Sequence, residues 1–260
     1  MALMLMISPA KRMDAVEGPP LAETRPAFLA DAQRLAGELR SLGYHGARSV
    51  WRCSDELARP NWERLATMPE DMARDPRLLS PAMLAYVGIQ YQHLAPQVMT
   101  GRQLAWLSSH LRVLSGMYGV LRPLDGVVPY RLEMQARLAV GGHRDLYGFW
   151  GDRLLDAILG TGADAIVNVA SHEYAKAVTP WARCAGIPVV TCVFGTPRAS
   201  DGRLAQRATE LKAARGAFVR WCAERGVEEV GQLGGFAERG YALDRSRSGA
   251  GTLAFVRDAR

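Results

Sequence analysis

A hydroxyl group and two cations follow the first apolar run of the chain. Residues 2–7 are all apolar and predict a buried strand, and they lead directly into Ser8, Pro9, Lys11 and Arg12. In open α/β sheets the ligand crevice lies outside the carboxyl ends of the strands. The sequence therefore predicts a site for an anion at this strand end.

A second predicted strand ends in the same kind of residues. Residues 165–169 are apolar apart from Asn168, and the polar residues that follow open a helical pattern. The free N–H groups at a helix N-terminus attract anions, so the two strand ends can share one crevice. The alternative, that Ser171 only caps the helix and Tyr174 only packs in the core, stays open at this stage. The polar group comprises Asn168, Ser171, His172, Glu173 and Tyr174.

Arginines are concentrated in a central block of the sequence. Arg112, Arg122 and Arg131 supply forked donors that suit phosphate or carboxylate groups. Internal ion pairs are an equally weighted alternative, with Glu133 as a partner for Arg131 and Asp125 as a partner for Arg122. The same block contributes Tyr118 and Tyr130 as candidates for a ligand site.

A long basic helix is predicted over residues 203–225, and it contains Lys212 and Arg215. A solvated basic face is the ordinary interpretation of this pattern. The sharper alternative is a helix that faces DNA and is followed by a hairpin at Gly234-Gly235, because such a helix-hairpin-helix element holds phosphates with backbone amides. Upstream, Trp150 belongs to an aromatic stripe that is more typical of a core than of a base-stacking platform.

Apolar runs alternate with helical patterns along the chain, which predicts an α/β protein with a mixed sheet flanked by helices. No internal repeat divides the sequence, so one compact domain over residues 1–260 is expected. Ser54 and Ser171 are the expected helix N-caps. Strands are predicted near residues 2–7, 83–87, 111–114, 164–169, 187–193 and 252–257, helices near 27–42, 54–66, 101–109, 144–159, 171–178 and 203–225, and a hairpin within 231–240.

Composition places the chain among folded globular proteins. Hydrophobic residues make up 48% of its 260 residues, and the formal net charge of +6 favours anionic partners without locating a basic patch. The four cysteines form no Cys-x-x-Cys pair and the five histidines show no zinc-binding spacing, so no metal and no cofactor are predicted. No secretory signal or apolar run of about 20 residues is present. We therefore expect a cytoplasmic monomer without a membrane partner.

A set of short motifs extends over nearly the whole chain. It consists of Ser8-Pro9-Ala10-Lys11, Arg52-x-Ser54-Asp55-x-Leu57-Ala58, the block from Leu111 to Met134, Asp145-Leu146-Tyr147, Phe149-Trp150-Gly151-Asp152, Asn168 with Ala170-Ser171 and Glu173-Tyr174, and Lys212 with Ala214-Arg215-Gly216. These motifs resemble the bacterial YaaA family. The resemblance implies a compact α/β fold largely peculiar to that family, a positively charged cleft that binds duplex or distorted DNA, and a role in limiting iron-driven damage under peroxide stress. It implies no known reaction.

Three positions differ from the family pattern. Val87-Gly88-Ile89 stands where Lys-Gly-Asp is usual before a tyrosine, and His172 replaces an acidic or amide residue. Gly195-Thr196-Pro197 stands where an acidic residue is expected. The histidine introduces a group that titrates near neutral pH, which slightly favours an enzyme.

Two functions fit these residues, and a purely structural role ranks below both. The first is a DNA-binding stress protein whose affinity falls steeply with salt. The second is a hydrolase- or lyase-like enzyme that uses acid–base chemistry on a small anionic or nucleobase-containing substrate, with Ser8, Lys11, Asp55, Glu133, Asp152 and His172 as candidate catalytic residues. The candidate nucleic-acid or ligand-binding residues are Ser8, Pro9, Lys11, Arg52, Ser54, Arg112, Tyr118, Arg122, Tyr130, Arg131, Trp150, Asn168, Ser171, Glu173, Tyr174, Lys212 and Arg215.

Overall fold

A mixed sheet of eight strands forms the centre of the structure, which is a computed structural model. It describes residues 2–16, 18, 22–69, 71–72, 79–160 and 162–257. The strands are β1 (Leu3–Ile7), β2 (Arg12–Met13), β3 (Ser80–Pro81), β4 (Tyr86–Val87), β5 (Leu111–Ser115), β6 (Gly119–Leu121), β7 (Gly126–Val127), β8 (Ala165–Asn168), β9 (Val189–Pro197), β10 (Leu204–Ala205), β11 (Tyr241–Leu243) and β12 (Thr252–Arg257).

Five parallel strands form the middle of this sheet, in the order β12-β9-β8-β1-β5. Antiparallel strands flank them, with β11 beside β12 and β6 beside β5. β10 folds back on the end of β9, and the short pairs β2–β4 and β3–β7 lie outside the large sheet. Every residue of β1, β5 and β8 is buried, as expected for strands covered on both faces.

Helices cover the sheet. α6 packs against β1 and β5, α8 against β6, and α10 and α11 against β9. Within the described ranges, no helix combines the length and the apolar content needed to cross a bilayer. The helices are α1 (Leu29–Ser41), α2 (Gly43–Trp51), α3 (Asp55–Thr67), α4 (Ala82–Ala85), α5 (Ile89–Leu94), α6 (Gly101–His110), α7 (Leu146–Trp150), α8 (Arg153–Leu159), α9 (His172–Ala175), α10 (Thr179–Cys184) and α11 (Ala208–Arg225).

The carboxyl ends of the parallel strands meet at one edge of the sheet, called the carboxyl edge below. The register pairs Met6 with Asn168 and Asn168 with Thr191, and it pairs Ile7 with Val113. The residues that follow β1 and β8 therefore lie at the same level. In this topology that edge is where ligands bind.

The predicted α/β class with a mixed sheet is confirmed, and several elements agree closely with the sequence patterns. The strand expected near 252–257 is β12, and the helix expected near 101–109 is α6. A capping box fixes the start of α6, because Thr100 accepts the Gln103 N–H while the Gln103 side chain accepts the Thr100 N–H.

Several local predictions are wrong, including the start of the helix expected over 203–225, where β10 (Leu204–Ala205) precedes α11. Residues 83–87, expected as a strand, form most of α4 followed by β4, since a short apolar run does not distinguish a strand from a buried helix. The single helix expected over 144–159 is broken at Gly151, whose φ of 55° lies in the left-handed region, and it becomes α7 and α8. The glycine-rich segment after α11 forms 3-10 turns at Val230–Gly235 and Glu238–Gly240, so the helix-hairpin-helix element is not confirmed.

α11 packs closely against α5 at Gly216. A Cβ atom at this position would overlap the carbonyl oxygen of Gln90 and lie 2.9 Å from the amide nitrogen of Leu94. Only glycine allows the two backbones to approach so closely. On the sheet side of α11, the Phe218 ring contacts that of Phe194, with ring centroids 5.6 Å apart. These contacts fix the position of α11 over β9.

We expect Gly216→Ala to lower the free energy of unfolding by about 1–3 kcal/mol, because the added methyl group forces α11 away from α5. Urea unfolding followed by circular dichroism measures this change. The matched control is Gly37→Ala in α1, where an added Cβ meets nothing within 4 Å. Alanine there should leave stability unchanged or raise it by up to about 1 kcal/mol. Equal effects of the two substitutions would contradict the close approach at Gly216.

Candidate functional site

Ser8 links the ends of β1 and β8 through hydrogen bonds. Its Oγ accepts the backbone N–H of Ser171 at 2.8 Å and lies 3.2 Å from the Ser171 Oγ. Ser171 occupies the N-cap position of α9, but its hydroxyl group does not cap that helix. Next to it, the side-chain oxygen of Asn168 accepts the N–H of Ala170 at 3.0 Å. The two polar strand ends are therefore brought together.

The backbone carbonyl of Ser8 is held from the other side by α5. It accepts hydrogen bonds from the side-chain amide of Gln90 and from the hydroxyl group of Tyr91, both at 3.0 Å. Burial raises the pKa of Tyr91 well above its usual value, so this hydroxyl group remains a donor. Ser8 and its neighbour Pro9 are thus fixed in place.

One carboxylate near this strand end serves two cations. Glu133 binds the Lys11 ammonium group through Oε2 at 3.0 Å and the Arg131 guanidinium group through Oε1 at 3.1 Å. The Lys11 side chain is 68% exposed, whereas those of Glu133 and Arg131 are 16% and 11% exposed. Most of this ion-pair cluster is shielded from water, and Lys11 covers its outer side.

Glu173 adds a second carboxyl group beside this cluster. Its Oε1 accepts the Gln135 N–H at 3.2 Å, and its backbone carbonyl accepts the Tyr147 hydroxyl at 2.9 Å. Burial raises the pKa of Glu173, and the negative charge of Glu133 raises it further, while Lys11 opposes the shift. The next residue, Tyr174, is also buried, and burial raises the pKa of its hydroxyl group.

Buried hydroxyl groups form a chain at the end of β5. The hydroxyl groups of Tyr86 and Tyr130 are 2.8 Å apart, and that of Tyr130 is 2.6 Å from the Ser115 Oγ. The Ser115 Oγ also accepts the N–H of Tyr118 at 2.9 Å, and the Tyr118 side chain is fully buried. Burial raises the pKa of Tyr130 to about 12, so the chain stays neutral at physiological pH.

Arg112 of the central block and Trp150 of the aromatic stripe are enclosed by the fold. Arg112 is 4% exposed, and its guanidinium group donates to the carbonyls of Ser108 and Leu111 at 3.0 and 2.7 Å. Burial lowers the pKa of Arg112 to about 10. Trp150 is fully buried, and its indole N–H donates to the carbonyl of Gly116 at 3.2 Å. Both side chains are therefore buried and hydrogen-bonded to backbone carbonyls.

A separate polar group lies at the junction of α2 and α3. Arg52 ends α2 with a φ of 47°, and Ser54 is the N-cap residue of α3, although its side chain makes no capping hydrogen bond. Asp55 accepts hydrogen bonds from the Tyr44 hydroxyl and from Arg59 at 2.6 Å. The hydrogen bond from Tyr44 is the main cause that lowers the pKa of Asp55. These partners all belong to α2 and α3.

Arg215 is half-buried on α11, and the other remaining candidates are exposed. His172 follows Ser171 at the start of α9, Asp152 precedes α8, and Lys212 lies on α11. Arg122 uses its backbone N–H to bind Asp125 at 2.8 Å, so the ion pair considered for these two residues is not the contact that forms. Among the residues that the structure describes, no group of three or more His, Cys, Asp or Glu side chains is placed to hold a metal ion.

A cavity of about 930 Å³ opens at the carboxyl edge, between the end of β9, the start of α11 and the end of β12. Inside it, Glu210 accepts hydrogen bonds from Arg239 at 3.2 Å and from Arg257 at 2.8 Å. Burial raises the pKa of Glu210, but the two arginines outweigh this effect and hold the pKa below its usual value. The charged residues that line the cavity are Arg198, Arg207, Arg239, Arg257 and Glu210.

The sequence did not single out Arg198, Arg239 or Arg257 as site residues. They come from three segments that are far apart in the chain, and only Arg257 carried a signal, because it ends a predicted strand. The departure at Gly195-Thr196-Pro197 forms part of the cavity wall. A Cβ atom on Gly195 would lie 2.8 Å from the Cβ of Leu204, so the folded-back β10 requires a glycine here.

Comparison with known proteins gives a consistent result. A family model described as peroxide stress protein YaaA matches residues 3–247. A UPF0246 protein of Lactiplantibacillus plantarum is 42% identical over 254 residues, covering 97% of this chain and 98% of the relative. Those of Pediococcus pentosaceus and Desulfitobacterium hafniense are each 41% identical, with coverage of 98% and 97% of both chains, respectively. The chain therefore belongs to the YaaA (UPF0246) family of peroxide stress proteins.

Proposed function

We propose that this protein binds DNA at its carboxyl edge, with the arginine-lined cavity as the main phosphate-binding surface. The observation that carries this proposal is the charge of the cavity lining, where four arginines face a single glutamate. Glu210 is already shared by Arg239 and Arg257. An excess of guanidinium groups at an open surface attracts the DNA backbone and releases its counterions.

Arg207 and Arg198 are the best-placed contacts for a phosphate. Both are exposed at the cavity. Arg207 has no ion-pair partner within the described part of the chain, and Arg198 is only 3.6 Å from Asp201 in a solvent-exposed pair. Exposed ion pairs contribute little and are easily exchanged for a phosphate. Exposed Lys212 on α11 and Arg122 after β6 add positive charge to the surface.

The ends of β1 and β8 favour a second, enzymatic function. There Lys11 and Arg131 are neutralised in part by Glu133, and Glu173 supplies a carboxyl group with a raised pKa. A carboxyl group with a raised pKa is the kind of group that acid–base catalysis uses. Ser8 and its partners hold this region rigid. This second candidate is hydrolase- or lyase-like chemistry on a small anionic or nucleobase-containing substrate.

We expect Arg207→Ala to raise the Kd for duplex and for bubble DNA about fivefold and to reduce the slope of log Kd against log salt by about one, since one phosphate contact is lost. Fluorescence anisotropy with labelled DNA at several salt concentrations measures both quantities.

The matched control is Arg225→Ala, which removes the same charge from the other end of α11, about 27 Å along the helix axis. This control should bind DNA like the unchanged protein. If Arg207→Ala and Arg225→Ala lose the same amount of DNA affinity, the cavity is not part of the DNA interface. No salt-dependent binding by the unchanged protein would overturn the proposed function.

We expect the unchanged protein to lose stability relative to Glu173→Gln as pH rises above 4.5, the ordinary pKa of this group. A carboxyl group with a raised pKa favours the folded state while it is protonated, and this contribution is lost as pH rises through the folded-state pKa. Urea unfolding between about pH 4 and pH 7 measures the difference, and Glu238→Gln, which removes an exposed carboxylate, is the control. If the stability of the unchanged protein and that of Glu173→Gln change in parallel with pH, the pKa of Glu173 is not raised in the folded state.

A further inference from the structure

A smaller cavity of about 350 Å³ lies at the end of α2 and is called the α2 pocket below. α2 packs against α1 and α3, and the α2 pocket shares no lining residue with the cavity at the carboxyl edge. The two cavities are therefore separate candidates for a ligand. The α2 pocket is lined by two arginines, a histidine, a serine and a cysteine, namely Arg48, Arg52, His45, Ser49 and Cys53.

The helical spacing of this segment gathers most of the lining on one side. Residues at positions i, i+3, i+4 and i+7 share one face of an α-helix, and here these residues are His45, Arg48, Ser49 and Arg52. Ala47 and Trp51 of α2 are buried, so the polar face is the one that meets solvent. Like charges three or four residues apart repel each other on a helix, although the helix dipole favours cations at its C-terminal end.

The carboxylate next to the α2 pocket is already occupied. Asp55 accepts hydrogen bonds from the Tyr44 hydroxyl and from Arg59, and it lies 3.5 Å from Arg48. Arg48 also donates to the carbonyl of Cys53 at 3.5 Å. By contrast, the exposed guanidinium group of Arg52 makes neither a hydrogen bond nor an ion pair with any described residue. The pocket therefore combines an arginine that is held in place with one whose donors are available.

Arg52 has a strained backbone. Its φ of 47° and ψ of 50° lie in the left-handed region, where it ends α2. Glycine is the usual residue at such a helix end, because it has no Cβ atom. Strained residues of other types are concentrated at functional sites. Here the strain accompanies a long cationic side chain in the lining of the pocket.

We propose that the α2 pocket binds the phosphate group of a small ligand, with Arg48 and Arg52 as the main donors. A guanidinium group matches a phosphate with two parallel hydrogen bonds. The hydroxyl group of Ser49 and the imidazole ring of His45 supply further donors. The volume of the pocket is near the lower end of the range for ligand sites, about 300–1,000 Å³, and suits a small phosphorylated molecule. This inference does not rest on DNA binding.

NMR spectroscopy of the histidine rings tests the proposal, because His45 lines the α2 pocket. Inorganic phosphate is titrated at constant pH and ionic strength, with sodium chloride as the reference salt, and the spectrum of His45→Gln assigns the His45 signal. This signal should shift saturably with phosphate, whereas the signal of exposed His143 should not.

Two matched variants locate the binding site. Arg52→Gln should raise the Kd for phosphate about tenfold, since it removes a charged hydrogen-bond donor. Arg102→Gln, which removes an exposed arginine from α6, should leave this Kd unchanged. An unchanged Kd in Arg52→Gln, equal losses in both variants, or a phosphate response that His45 and His143 share would overturn the proposal.

Arg52→Gly separates binding from folding. Glycine adopts the left-handed backbone without strain, so this variant should unfold at the same Tm as the unchanged protein or at a higher one, and it should still lose the phosphate response of His45. A phosphate response that persists in Arg52→Gly would overturn the proposal. In the DNA titration, Arg52→Gln should bind like the unchanged protein. A loss of DNA affinity in Arg52→Gln without a change in the Kd for phosphate would assign the α2 pocket to a DNA interface instead.

Discussion

The carbonyl oxygen of Ser8 accepts hydrogen bonds from the side chains of Gln90 and Tyr91, and the assembly of the carboxyl edge depends on this contact. It ties α5 to the end of β1. α11 then packs on α5 where Gly216 leaves no room for a side chain, and its first turn reaches the end of β9. The basic residues of α11 thus take their positions from contacts that involve no charge. A shift of α5 would displace the cavity together with the Ser8 cluster.

Charge is distributed unevenly along this edge. At the end of β1, Glu133 offsets Lys11 and Arg131, and half-buried Glu173 stands beside them. At the ends of β9 and β12, the cavity has one glutamate against four arginines. The two regions therefore present different balances of charge at the same edge of the sheet. The first region holds its cations beside carboxyl groups, and the second presents an excess of guanidinium groups.

The sequence predicts the Ser8 and Ser171 contact better than it predicts the cavity, and the reason is physical. Parallel strands place their carboxyl ends together, so polar residues after two apolar runs are expected to meet. The arginines of the cavity meet only because β10 folds back on β9 and because β11 and β12 return beside it. Arg112 shows the opposite problem, since its type suits a phosphate while its place inside β5 leads to burial. Residue type alone does not distinguish these outcomes.

The fold exposes Arg207 at the start of α11 and half-buries Arg215 two turns later. Arg207 at the rim keeps its hydration, so its exchange of water for a phosphate gains little per contact, and many such contacts are needed to bind DNA. Arg215 is half-buried, and its Nε is enclosed without a hydrogen bond, so folding has removed part of its hydration. Replacing the arginine therefore removes different interactions at Arg207 and at Arg215. At Arg207 it removes an exposed charge, and at Arg215 it removes a guanidinium group whose Nε is already enclosed by the fold.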